Sequence, residues 1–174
     1  MKDIMLDLET MSTGSYAAII SIGAVYFDGD KLGQRFYETV SLESVMAAKF
    51  SIDASTILWW MRQSDEARKE FGKSNKSIMI VLDEFSSFCK KRDNVRIWGN
   101  GSDFDNVILG NAYRVFKMDI PWKYTNNRCF RTVKNIHPLK IYPDTHNAHN
   151  ALSDAVWQAE CLIEIVKTYK FDLN

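Results

Sequence analysis

Apolar and polar residues alternate over residues 4–9, with Ile4, Leu6 and Leu8 on one face, which predicts a first strand. Residues 17–27, rich in Ile and Val, read as a second, buried strand. Asp28-Gly29-Asp30 marks a turn, and alternation resumes over residues 35–40 in a third strand able to pair back as a hairpin. Residues 41–49 and 54–71 read as helical, and Ser64-Asp65-Glu66 supplies a helix start after Trp59-Trp60. Ile78, Val81, Leu82, Phe85 and Phe88 recur at helical spacing. Residues 95–98 form a short strand, 104–116 a helix ending ahead of Pro121, 129–136 a short helix and 137–147 a loop. The last helix, Ala151–Tyr169, carries the stripe Leu152, Ala155, Ala159, Leu162, Val166 and Tyr169. Meandering strands followed by βα units predict an α/β domain with a mixed sheet.

No repeat, low-complexity tract or Pro/Gly/Ser-rich linker interrupts this pattern, so residues 1–174 are expected to form a single domain. Apolar residues make up 46% and charged residues 25%, which excludes disordered and collagen-like chains. The three cysteines, Cys89, Cys129 and Cys161, are widely spaced and form no CxxC. That argues against a disulfide framework or structural zinc and for a reducing compartment. The N-terminus lacks an apolar signal-peptide core, and residues 17–27 are too short to span a bilayer. A soluble cytoplasmic protein with no membrane association is expected.

Three features carry candidate chemistry. Asp7 and Glu9 stand two residues apart in the first strand, on one face and about 6.6 Å apart along the chain. Two like charges within a sheet repel, and each is costly to desolvate alone. A divalent cation resolves both problems; a solvated edge strand would carry the same pattern. Next, Trp98-Gly99-Asn100-Gly101-Ser102-Asp103-Phe104-Asp105 places acids where a strand ends and a helix begins. Sites form at such strand ends in open α/β sheets, although an acid in a first turn also simply favours the helix dipole. Finally, His149 and Asp154 lie five residues apart, about 140° around a helix. They converge only if His149 sits in the loop before the helix and Asp154 in its first turns. A surface-loop histidine is the plainer reading, and it is the one kept for His137 and His146.

Taken together, D-x-E in the first strand, F-D opening a helix after a later strand and H-x4-D opening the last helix are specific in order and spacing. In these motifs the chain resembles the DEDDh 3′–5′ exonucleases of the ribonuclease-H-like fold. Asp7-Leu8-Glu9-Thr10 resembles the first motif, Phe104-Asp105 the second with Asn100 as its upstream asparagine, and His149 to Asp154 the third. The family places its ligand after the aromatic residue, which selects Asp105 over Asp103. Thr56-Ile57-Leu58-Trp59-Trp60, Trp98-Gly99-Asn100-Gly101 and residues 128–132 are similar to a phage and bacterial branch of small single-domain members. One departure is Met11-Ser12-Thr13-Gly14, where many relatives have glycine sooner.

The resemblance implies a mixed five-stranded sheet, with three antiparallel strands and then parallel βα units, flanked by helices. It implies that Asp7, Glu9, Asp105 and Asp154 hold two Mg²⁺ or Mn²⁺ ions, with Asp7 bridging. One ion would activate the attacking water and the other stabilise the leaving 3′ oxygen, with His149 as general base. The product would be a nucleoside 5′-monophosphate released from a 3′ end, with DNA the expected substrate. The resemblance also admits a homodimer and, for a phage-encoded chain, the host cytoplasm.

A strand end needs stacking surfaces and phosphate contacts. Met11, Phe104 and Trp60 are the stacking candidates, Gln63 a partner for sugar or base, and Thr10 and Asn100 further substrate contacts. The 22 basic residues match 22 acidic ones, and zero net charge speaks against a strongly nucleic-acid-binding chain. The distribution changes that picture. Residues 110–140 hold seven basic residues against one acid, Asp119, a local balance of +6 that leaves −6 elsewhere. Arg128 and Arg131 in this stretch are candidates for guiding a phosphate backbone, although a solvated face is the plainer reading of a charge run. An exoribonuclease or oligoribonuclease would use the same residues. An internal-cutting ribonuclease-H-like nuclease is disfavoured by H-x4-D, and a catalytically silent binding module by the intact acidic set.

Overall fold

The computed structural model describes residues 2–69, 71–73, 75–140, 142 and 149–173. His146 and most of the loop before the last helix lie outside the described residues. Five strands form one sheet: β1 (Asp3–Thr10), β2 (Ile19–Phe27), β3 (Leu32–Thr39), β4 (Arg96–Gly99) and β5 (Asn127–Cys129). Their order across the sheet is β3-β2-β1-β4-β5. The β1–β2 and β2–β3 pairs are antiparallel, whereas β4 joins β1, and β5 joins β4, in parallel. β1 is therefore the strand at which the pairing changes sense.

The alternation in β1 divides two cores. Ile4, Leu6 and Leu8 join Ile22, Ala24 and Tyr26 beneath α4 (Ile78–Cys89) and α5 (Asp105–Val115). Val81, Leu82, Phe85, Ile108, Leu109 and Ala112 close that layer. Met5 points the other way and packs with Val25, Phe27, Trp98 and Phe130 against α7 (Ala151–Tyr169). Each fully buried large apolar side chain contributes about 1.5–3 kcal/mol. At the far end of β1, buried Asp3 accepts from Arg96 Nε (2.7 Å) and Trp98 Nε1 (2.7 Å), while Arg96 Nη1 donates to the Leu173 carbonyl at 2.7 Å.

Several boundaries differ from the sequence pattern. The second strand begins at Ile19, because Ala17 instead makes an isolated bridge to Ser51. The 54–71 segment divides into α2 (Ala54–Trp60) and α3 (Asp65–Arg68). Ser64 caps α3 by accepting from the Ala67 N–H at 3.2 Å, as the Ser-Asp-Glu signal predicts. Residues 41–49 contain the short helix α1 (Leu42–Ala47). The 129–136 helix is α6 (Phe130–Ile136), preceded by β5, whose three residues are too few and too polar to show alternation. On α7 the buried positions are Ala151, Ala155, Gln158, Ala159, Cys161, Leu162, Ile163 and Ile165, whereas Leu152 and Val166 are half-buried and Tyr169 is exposed. No described helix is long and apolar enough to cross a membrane. The three cysteines are free.

Candidate active site

Asp7 and Glu9 project from the α7 side of β1, opposite Gly23 and Ser21 of β2. Phe27, Val25, Gly23 and Ser21 line that side of β2, so bulk falls away toward the carboxyl end of β1. Gly23 is the point of closest approach. A β-carbon there would lie 2.1 Å from the Ala151 carbonyl carbon, so only glycine lets the first turn of α7 rest on the sheet. Asn150 caps that turn: its Oδ1 accepts from the Ser153 N–H at 3.0 Å and its Nδ2 donates to the Tyr37 hydroxyl at 3.2 Å. The docking delivers Asp154 to the carboxylates of β1. Asp7, Glu9 and Asp154 each offer an oxygen within 4.8 Å of the others.

Asp105 enters from the other side. It opens α5 after β4, and Gly99 makes room, since a β-carbon there would meet Asn106 Oδ1 at 2.4 Å. β4 pairs with β1 only as far as Met5. Beyond that point the Asp105 carboxylate substitutes for a strand: Oδ1 accepts from the Leu8 N–H at 3.2 Å and Oδ2 from the Asn100 N–H at 3.1 Å. Asp105 is buried and stands beside the three-carboxylate cluster, whereas Asp103 is exposed.

The electrostatics follow from this crowding. Burial, then the charges of Asp105, Glu9 and Asp154, push the Asp7 carboxyl well above its ordinary range, and Gln158 partly opposes the shift. Burial pushes Asp105 up to about 7, against the N–H groups of Leu8 and Asn100 and the Arg131 guanidinium. Asp7, Glu9 and Asp154 offer hard oxygen donors close enough together for one divalent cation, which would relieve their repulsion and that of Asp105.

His149 adopts a left-handed backbone (φ 66°) just before the helix, and its N–H donates to Asp154 Oδ2 at 3.0 Å. Its ring stands edge-on to Trp59, with centroids 4.8 Å apart, and contributes no atom to the acidic cluster. The five-residue spacing thus places His149 beside the first turn rather than on the helix face.

A cleft of about 390 Å³ adjoins the cluster through Glu9 and is walled by Thr10, Thr56, Trp59, Trp60 and Phe104. Trp60 is nearly buried, and its indole N–H donates to the Thr10 carbonyl at 2.9 Å. Trp59, 42% exposed, presents the more open ring. Met11 lies in the core beside a separate groove with Ile57 and Phe71. Gln63 Nε2 donates to the Trp59 carbonyl at 2.9 Å and does not line the cleft. Arg131 approaches Gly101 at the second-motif turn, whereas Arg128 donates to the carbonyls of Thr125 (2.9 Å) and Asn127 (3.0 Å).

Gly23, Trp59 and Gln158 did not emerge as site residues from motif spacing. A glycine within a β-branched strand, and a glutamine four residues past Asp154 on an apolar stripe, were the available signals.

Known proteins resemble this chain in sequence and in fold. The profile of the family described as 3′–5′ exoribonuclease Rv2179c-like domain matches residues 2–166. The exodeoxyribonuclease of Enterobacteria phage T4 is 28% identical over 162 residues, taking in 76% of this chain and 70% of the relative. Two solved structures share the fold. Exonuclease X in complex with 5′ overhanging duplex DNA superposes with a TM-score of 0.61 at 17% identity, covering 97% of this chain and 93% of the other. The nuclease domain of 3′hExo, a DEDDh family member bound to rAMP, superposes with a TM-score of 0.64 at 12% identity, covering 95% and 92%.

Proposed function

Because the chain belongs to the Rv2179c-like 3′–5′ exoribonuclease domain family, and is thereby an exonuclease of the DEDDh type, we propose that it removes nucleoside 5′-monophosphates from the 3′ end of DNA. The observation that carries the reading is the meeting of Asp7, Glu9 and Asp154 within 4.8 Å, beside a cleft with aromatic walls. Asp7, Glu9 and Asp154, with Asp105 beside them, would hold two divalent ions, Mg²⁺ or Mn²⁺. When bound, these ions supply Lewis-acid activation of water and charge stabilisation at the leaving 3′ oxygen.

The chain's own residues do the rest. Trp59 and Phe104 clasp the terminal nucleoside in the cleft, with the nearly buried Trp60 backing Trp59, and leave its phosphate toward Glu9. Thr10 turns the chain at the cleft floor, its hydroxyl donating to the Ser12 carbonyl at 2.8 Å. Asn100 holds Asp105 through its N–H. His149 takes the proton of the attacking water at an imidazole nitrogen, and its place in the short segment before α7 lets it reach over a bound nucleotide. Arg131, beside the second motif, receives the strand's phosphate backbone, and Arg128 extends that surface. The phage exodeoxyribonuclease and the DNA-bound exonuclease X support DNA. RNA is the second reading, supported by the family's description and by the rAMP-bound neighbour.

The test offers 5′-labelled single-stranded, blunt and 3′-recessed DNA, and matched RNA, with Mg²⁺ or Mn²⁺, to the wild type and to Asp7→Ala. Stepwise shortening of DNA from its 3′ end, absent in Asp7→Ala, is expected. Faster shortening of RNA would reverse the substrate choice.

A further inference from the structure

Gln158 stands on α7 one turn beyond Asp154, so the two side chains leave the same face of the helix. It occupies the buried stripe of Ala151, Ala155, Ala159 and Leu162, where an apolar residue would be ordinary, and only 3% of it reaches solvent. Its Nε2 donates to Asp7 Oδ1 at 2.7 Å, a short bond for an amide. The amide thus turns its NH₂ to Asp7 and its carbonyl away, the arrangement that suits the ionised carboxylate a cation requires, which can only accept. That carbonyl oxygen is buried and has no hydrogen-bond partner among the described residues. Half of the side chain is thus satisfied by Asp7, and the other half carries a desolvation cost with nothing to offset it. Packing alone would favour Met or Leu at this position.

We propose that Gln158 is the positioning residue for Asp7. Its amide sets the orientation of the carboxylate about a torsion that is otherwise soft, and leaves the remaining lone pairs for a cation held by the acidic cluster. The neighbouring acids cannot perform this task, because they repel Asp7 and have no proton to donate when ionised. The helix that brings Asp154 therefore also brings the group that aims Asp7. The inference rests on the reading of Asp7, Glu9 and Asp154 as metal ligands.

The test measures Mn²⁺ affinity by titration calorimetry, and metal-free melting, on the intact protein carrying Gln158→Met, which keeps volume and removes both amide groups. Gln158→Leu repeats the comparison with different packing. A partner that orients a metal ligand is worth about 10–100-fold in metal affinity. We expect Mn²⁺ binding weakened by that factor and metal-free melting unchanged or raised, because the orphaned carbonyl is gone. We also expect kcat lowered with KM for the strand unchanged. Wild-type Mn²⁺ affinity in both variants, or a lowered metal-free melting point with unaltered affinity, overturns the proposal in favour of packing. Asp7→Ala separates the two readings: if it binds Mn²⁺ like the wild type, the metal assignment itself fails. If only Asp7→Ala loses binding, the positioning role alone fails.

Discussion

Gly23 lies directly across the β1–β2 ladder from Asp7, and the space a side chain would fill at position 23 is taken by the backbone of Ala151 and Leu152. The distance between the D-x-E strand and the H-x4-D helix is therefore set by the absence of one methyl group. Gly23→Ala is expected to push the first turn of α7 off the sheet, costing about 1–3 kcal/mol of stability. It should lower activity far more, because Asp154 and His149 move together. Thermal melting and a 3′-end assay check both effects. Wild-type activity in a folded Gly23→Ala protein would mean that the helix docks by other contacts.

The crowded acids give stability a pH dependence of defined sign. Asp7 and Asp105 titrate above their unfolded values of about 3.9. Between pH of about 4 and about 7 the folded chain binds more protons than the unfolded one, so metal-free stability falls as pH rises through that window. Melting in EDTA is expected to be lower at pH 8 than at pH 5, by roughly 2–4 °C for each kcal/mol involved. Millimolar Mg²⁺ or Mn²⁺ should recover the loss. The drop should shrink in Asp7→Asn; the same drop in that variant would assign it to other groups.

The His149 ring packs against Trp59 and supplies no atom to the acidic cluster, so removing the imidazole should separate chemistry from metal binding. His149→Ala is expected to slow hydrolysis by about 10²–10⁴-fold while keeping the thermal stabilisation by Mn²⁺. If that stabilisation disappears with the imidazole, His149 acts as a ligand instead.

Arg131 reaches the turn that carries the second motif, whereas Arg128 is occupied by backbone carbonyls. Arg131→Glu should therefore weaken strand binding more than Arg128→Glu. Each lost phosphate contact on a single strand should reduce the slope of log affinity against log salt by about 0.7. Fluorescence anisotropy at several salt concentrations reads this directly, and an unchanged slope in Arg131→Glu moves the strand's path elsewhere.

Much of the fold was legible because periodicity reports burial. Ile4, Leu6 and Leu8 read as one face of a strand and form one face of the core. The Ile78–Cys89 spacing likewise appears as a helix whose Val81, Leu82 and Phe85 are buried. β5 was not legible, since its three residues owe their conformation to pairing with Ile97, Trp98 and Gly99. The motif residues were legible because acids in a sheet are chemically conspicuous. Met11 and Trp60 illustrate the opposite case. An apolar side chain near a motif reads equally as stacking surface or as core, and only the three-dimensional neighbours distinguish a nearly buried Trp60 from an open Trp59. Gly23 and Gln158 act through a helix more than a hundred residues away from β1 and β2, a relationship that local pattern cannot express.

The bond from Gln158 to Asp7 closes a span of 151 residues. During synthesis, β1 leaves the ribosome long before α7 exists. Until α7 arrives, the side of the sheet bearing Met5, Val25 and Phe27 lacks its main cover, Phe130 of α6 aside, and the acids of β1 have no Asp154. With the proposed ligand set, cutting competence would arrive with α7, all at once, and a chain interrupted before residue 151 would be both sticky and harmless to the strands around it.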